Sequence, residues 1–145
     1  MDYAFNEGAF TLPDAANDRT VNMILLNVGP GGPSLVISRD RLEVEESVEQ
    51  FIDRQLTAAS RQVKDLVEKS RRAITVGAAQ LPATQIELTL KQNGATYHQV
   101  QTIFRVGGDR MIAVTVTCSM PLNDEQQALV QQMFDSFVPR DAAQV

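Results

Sequence analysis

The chain has 145 residues, of which 43% are apolar and 21% charged, a size and balance that suit one soluble globular domain with an unstapled core. Its formal net charge of −5 argues against electrostatic binding to nucleic acid or to an anionic membrane, because both need the opposite sign, and no stable membrane insertion is expected. The single cysteine, Cys118, allows no internal disulfide. Met1 to Glu7 lacks the basic leader and apolar core of a signal peptide, and no run approaches the ~18 apolar residues of a membrane span, so the expected location is the cytoplasm.

Tyr3 to Phe10 reads as a short strand and bend, closed by Leu12-Pro13. Asp14 to Arg19 is a polar turn leading into Val21-Asn22-Met23-Ile24-Leu25-Leu26-Asn27-Val28, a strand apolar on both faces. Side chains alternate along a strand, so Met23 and Leu25 point one way and Ile24 and Leu26 the other. A two-layer domain of this size turns one of those faces to solvent, and an exposed face of Met and Leu suits an apolar partner. Gly29-Pro30-Gly31-Gly32-Pro33 must be a loop, and Ser34 to Arg39 is a second two-sided strand, with Leu35 and Ile37 opposed to Val36.

From about Glu46 the period changes: Val48, Phe51, Ile52, Leu56, Ala59 and Val63 recur every three or four residues, as in an amphipathic helix of four to five turns. Ser47 and Gln50 have capping-box spacing, and Glu43, Glu45 and Glu46 lie where the helix dipole favours acids. Asp65 to Val76 reads as a strand whose Lys69, Arg71 and Arg72 form a solvated face. Asn93-Gly94 is a strong two-residue hairpin signal between Ala83–Gln92 and Ala95–Val106, and it places Leu90 opposite Tyr97, Leu88 opposite Gln99 and Ile86 opposite Gln101. A second hairpin at Gly107-Gly108-Asp109 leads into Arg110 to Met120. An even register there adds Ile112, Val114, Val116 and Cys118 to the face of Ile86 and Ile103. Asn123, with Gln126 three residues on, caps a closing helix whose stripe is Leu129, Val130, Met133, Phe134 and Phe137, and Pro139 ends it.

The expected architecture is a single α+β domain over 1–139, an antiparallel sheet of about six strands with two main helices on one face, followed by a frayed tail over 140–145.

The residues that could carry chemistry are few. His98 is the only histidine, and no motif brings it a nucleophile or carboxylate. Cys118 sits in an apolar strand and reads as a small core residue. One Cys and one His cannot build a structural zinc site, and the Glu43–Glu46 acids lack the spacing of a calcium loop. The Gly29–Pro33 loop lacks the Lys-Ser/Thr of a phosphate-binding loop, and no helix begins after it. Asp18-Arg19 and Asp109-Arg110 read as structural ion pairs beside turns. No catalytic group, metal or cofactor is nominated, and the balance moves from enzyme to binding module.

Phe5-Asn6-Glu7-Gly8, Leu12-Pro13, Asp18-Arg19-Thr20-Val21-Asn22 and Ser38-Arg39-Asp40 resemble the DcrB-related family, and more narrowly the Eag chaperones of bacterial type VI secretion. Phe51 to Leu56 and Phe134-Asp135-Ser136-Phe137 are in keeping with it. The resemblance implies a Mog1/PsbP-like fold acting as a homodimeric adaptor. Such chaperones shield the N-terminal transmembrane helices of PAAR- or Rhs-type effectors and help load them onto the VgrG spike, using a concave apolar sheet face and polar side chains that include glutamines. Carried onto this chain, the client face would comprise Met23, Leu25, Leu35, Ile37, Gln99 and Gln101, with Ile24 and Leu26 holding helices to the sheet. Gln55 and Gln62 are weaker candidates. The four apolar residues read equally well as core, and the two glutamines as solvated strand residues, because the sequence does not say which face the helices cover. A non-catalytic ligand-binding module of the same fold is the alternative.

Overall fold

The computed structural model describes residues 1–140, so the expected tail beyond Arg140 lies outside them. The first two strands, β1 (Asp2–Phe5) and β2 (Gly8–Thr11), form a separate antiparallel ribbon where one strand and a bend were expected. The remaining elements are β3 (Asn22–Leu25), β4 (Ser34–Arg41), α1 (Val48–Ser60), β5 (Lys64–Val76), β6 (Leu81–Gln92), β7 (Ala95–Gly107), β8 (Arg110–Cys118) and α2 (Asp124–Asp135). Strands β3 to β8 form a six-stranded antiparallel sheet in the order β3-β4-β8-β7-β6-β5. This is the α+β architecture of six strands and two helices that the hydrophobic periods predict.

Both helices start where the sequence says. Ser47 Oγ accepts from the Gln50 N–H at 3.1 Å while Gln50 Oε1 accepts from the Ser47 N–H at 3.0 Å, and Asn123 and Gln126 repeat that box for α2. α1 is shorter than its apolar period suggests, ending at Ser60 before Val63.

The β6–β7 hairpin has the expected register, Leu90 opposite Tyr97, Leu88 opposite Gln99 and Ile86 opposite Gln101. Asn93 and Gly94 are both left-handed, at φ 53° and 78°, which gives a two-residue turn a twist that matches its strands. The next hairpin departs from expectation. Its register slips between Arg105 and Gly107, and beyond the slip Ala113 faces Ile103 while Val114 faces Thr102. A one-residue slip turns every side chain to the other face. Ile112, Val114, Val116 and Cys118 therefore join Phe104 rather than Ile86 and Ile103.

That slip divides the core in two. Ile86, Leu88, Ile103 and Met111 pack with Phe51 and Ile52 of α1. Leu35, Val76, Ala83, Phe104, Val114 and Val116 pack with Val130 and Phe134 of α2. Ile103 and Phe104 are neighbours in one strand and point to opposite sides. The two helices thus cover opposite faces of the sheet, not one face as expected, because the slip leaves each face too apolar to stand alone.

Candidate functional site: an open strip beside α1

On the α1 face, the buried cluster under the helix draws on β6, β7 and the start of β8, and β3 lies at the sheet's far edge. Met23 and Leu25 on that edge are 68% and 63% exposed. Their register sets Met23 opposite Val36 and Leu25 opposite Ser34, so Val36, half-buried, joins them. Leu35 and Ile37 do not. Cross-strand partners in this register have opposite parity in sequence, which turns Leu35 and Ile37 to the α2 face, where Leu35 is 5% exposed core. Grouping all four on one face is therefore corrected: Val36 takes their place. Leu26 packs against the α2 cluster, whereas Ile24, opposite Leu35, points the same way but is 47% exposed and belongs to neither cluster, so it does not hold a helix as expected.

The strip continues into a polar band. Gln99 Nε2 donates to Thr117 Oγ1 at 3.2 Å, and Gln101 Nε2 donates to Thr115 Oγ1 at 3.4 Å, both across the β7–β8 pairing. Gln101 Oε1 is buried and has no hydrogen-bond donor among the described residues. A buried acceptor without a donor is costly, and the same amide turned over would take the Thr115 hydroxyl as its donor. Gln101 also lines a cleft of about 150 Å³ with Ser38, Phe51, Gln55 and Met111, between the strip and α1. Gln55 Nε2 is engaged with Asp40 at 2.9 Å. The structure thus gathers Met23, Leu25, Gln99 and Gln101 on one face and puts Leu35 and Ile37 on the other.

Ion pairs hold α1 in place. Arg54 donates to Glu46 through Nε at 2.8 Å and Nη2 at 2.9 Å, which keeps the Glu46 carboxyl below the usual range and raises Arg54. Arg71 on β5 reaches Glu68 at 2.6 Å, Asp53 at 3.1 Å and Glu49 at 3.3 Å, and hydrogen bonding to Glu68, then Asp53, raises it. The expected pairs at the two turns are replaced. Asp18 bonds the hydroxyl and backbone N–H of Thr20, which lowers its pKa, and Asp109 pairs with Arg41 at 3.2 Å.

The register sets His98 directly opposite Cys118 on the α2 face, a pairing the sequence did not disclose. The thiol is buried, its Sγ–H donates to Pro30 O at 3.5 Å, and no hydrogen bond joins it to the imidazole. It has neither the access nor the base that a nucleophile needs. Among the described residues, no group of three His, Cys, Asp or Glu side chains could hold a metal, and no helix is long and apolar enough to cross a membrane. The Gly29–Pro33 loop is clamped rather than free: Gln126 Nε2 donates to Val28 O and Pro30 O at 2.9 and 2.8 Å. A Cβ on Gly31, at φ 87°, would collide with the Cys118 sulfur. Nothing in the sequence marks Gln126 for this role beyond its capping position.

A six-stranded antiparallel sheet flanked by one helix on each face, with an exposed apolar edge strand, defines an α+β protein. Within that class, the DcrB family pattern matches residues 7–136, and the chain belongs to the DcrB family. Its structure is similar to the crystal structure of PA94, a Pseudomonas aeruginosa protein of unknown function, with 22% identity, 98% of each chain covered and a TM-score of 0.78. That likeness shows a shared fold. The solution structure of cyanobacterial PsbP (CyanoP) from Synechocystis sp. PCC 6803 aligns over 87% of this chain and 80% of that one, with 9% identity and a TM-score of 0.47. No curated protein matches the chain significantly.

Proposed function

We propose that this protein is a cytoplasmic, non-catalytic adaptor that shields the N-terminal transmembrane helices of a type VI secretion effector of the PAAR or Rhs type and promotes its loading onto the VgrG spike. The observation that carries the reading is the exposure of Met23 and Leu25, 68% and 63%, on a sheet face that also presents Val36. Large apolar side chains at a sheet edge invite aggregation unless a partner covers them. Burying one such side chain is worth roughly 1.5–3 kcal/mol, and a transmembrane helix out of lipid offers matching apolar surface. Met23 suits varied clients because its thioether adapts to different shapes.

The polar band has a part in the same reading. Gln99 and Gln101, each held only by one threonine across the β7–β8 pairing, can turn their amides toward Ser, Thr or an exposed backbone N–H on the client. The working form is a homodimer, which light scattering of the purified protein tests directly. For client binding, the protein is co-expressed with an effector's hydrophobic N-terminal segment. The native chain is expected to keep that segment soluble and co-purify with it, whereas Met23→Asp and Leu25→Asp fold normally and lose it. Folded variants that still retain the segment would show that the strip is not the client face.

A further inference from the structure

The α2 face has an uncovered region of different character. Arg72, Gln85 and Thr102 are cross-strand partners on β5, β6 and β7, and they form a polar relay. Arg72 donates to Gln85 Oε1 through Nε at 3.2 Å and through Nη2 at 2.6 Å, and Gln85 Nε2 donates to Thr102 Oγ1 at 3.1 Å. Gln85 is 5% exposed and Thr102 fully buried. Polar side chains placed this deep cost stability relative to apolar ones unless fully bonded, so their effect on Arg72 is informative. They fix its guanidinium by one edge and leave Nη1 without a hydrogen-bond partner among the described residues.

Arg71 and Arg72 are adjacent and point to opposite faces, and their surroundings differ sharply. Arg71 meets three carboxylates. Arg72 and Lys69 meet none within ion-pair distance among the described residues. Both cations line a cleft of about 510 Å³ whose other walls include Val100, Leu122 and Val130, with Glu87 and His98 also on the lining. Two cations against one carboxylate suit a singly charged anion better than a dianion. The planar guanidinium fork matches a carboxylate.

The geometry points to a binding site on the α2 face for a small monocarboxylate with an apolar body, its carboxylate on Arg72 and Lys69 and its chain against Val100 and Leu122. Gln85 is the positioning residue that aims Arg72. This site is separate from the strip beside α1 and does not rest on the chaperone reading. It is tested by titrating isotope-labelled protein with sodium octanoate, with octanol and inorganic phosphate as parallel probes. Octanoate is expected to move the amide signals of Arg72, Gln85, Val100 and Thr102, and each parallel probe to bind at least about tenfold more weakly, since each lacks half of the recognition. Arg72→Met removes both donors from Gln85 Oε1, so it should lower stability while keeping the fold, checked by its amide spectrum, and weaken octanoate by about tenfold or more. Gln85→Met keeps the charge and the side-chain length, and it should weaken octanoate while leaving Lys69 unaffected. Equal binding of octanol or phosphate, signals that move only around Met23 and Leu25, or full affinity in Arg72→Met would each overturn the assignment.

Discussion

The two faces of this sheet carry a helix each, yet what each helix leaves bare is opposite in kind. Beside α1 the bare edge is apolar, Met23, Leu25 and Val36, running into glutamines and threonines. Beside α2 the larger bare region is a cationic cleft built on a buried polar relay, with Ile24 of β3 also 47% exposed at that face's edge. The means of attachment differ as well. α1 is tied to β5 by the ion pairs of Arg71 with Glu49 and Asp53, whereas α2 is tied through neutral hydrogen bonds from Gln126 to a glycine-rich loop. Coverage is a matter of geometry, while the chemistry of the uncovered part is a separate property of each face. An exposed apolar edge is unfavourable in water, so it calls for a function more than a solvated cleft does.

The largest effect belongs to the divided core. Phe104 packs edge-on against Phe137 at 5.1 Å within the α2 cluster, so Phe104→Ala is expected to cost about 3–5 kcal/mol in urea denaturation. Ile103→Ala, the next residue on the α1 face, is expected to cost about 2–5 kcal/mol. A loss confined to one of the two would mean that one helix merely rests on the sheet, and the two-core account would fail.

The next effect separates the attachments. Gln126→Ala removes the donor from two loop carbonyls and should cost about 1–3 kcal/mol, with faster amide exchange around Ser119, whose N–H bonds Gly31 O at 3.0 Å. Exchange unchanged there would show that the loop holds itself. On the other face, the Glu46 carboxyl titrates below its ordinary 4.5 because Arg54 bonds the charged form. A lowered folded-state pKa means that the pair's contribution is fully present above about pH 4.5 and fades as the pH falls through the lower folded value. Glu46→Gln should therefore reduce stability at pH 7 and flatten the acid limb of the stability profile. An acid limb with the native slope would place the acid sensitivity elsewhere.

Most of the fold was legible because its signals were local. The period of Val48, Phe51, Ile52 and Leu56, the two capping boxes and Asn93-Gly94 each fix an element without help from distant chain. What could not be read was parity across longer connections. The slip at Arg105–Gly107 and the offset set by the Gly29–Pro33 loop each invert a strand's faces without any change in composition. One inversion put the helices on opposite sides, and the other replaced Leu35 and Ile37 by Val36. The relay of Gln85 with Thr102 follows from the correctly read hairpin, since that register makes them partners. It was missed because their polarity reads as solvent exposure until a helix is known to cover part of that face.

The smallest effect is the one that decides what the bare edge is for. Met23 and Leu25 are mostly exposed and belong to neither core cluster, so the double substitution Met23→Ser, Leu25→Ser should change the stability of the isolated chain by no more than about 0.5 kcal/mol. Core residues of the same size lose several times that on truncation. A near-zero change in urea denaturation, together with loss of the co-expressed hydrophobic segment, would assign the cost of keeping two large apolar side chains in water to binding. A loss of 2 kcal/mol or more that grows with protein concentration would instead show that a second copy of the chain already covers them. The apolar edge would then be a subunit interface, and the client face would have to be sought along the band of Gln99 and Gln101.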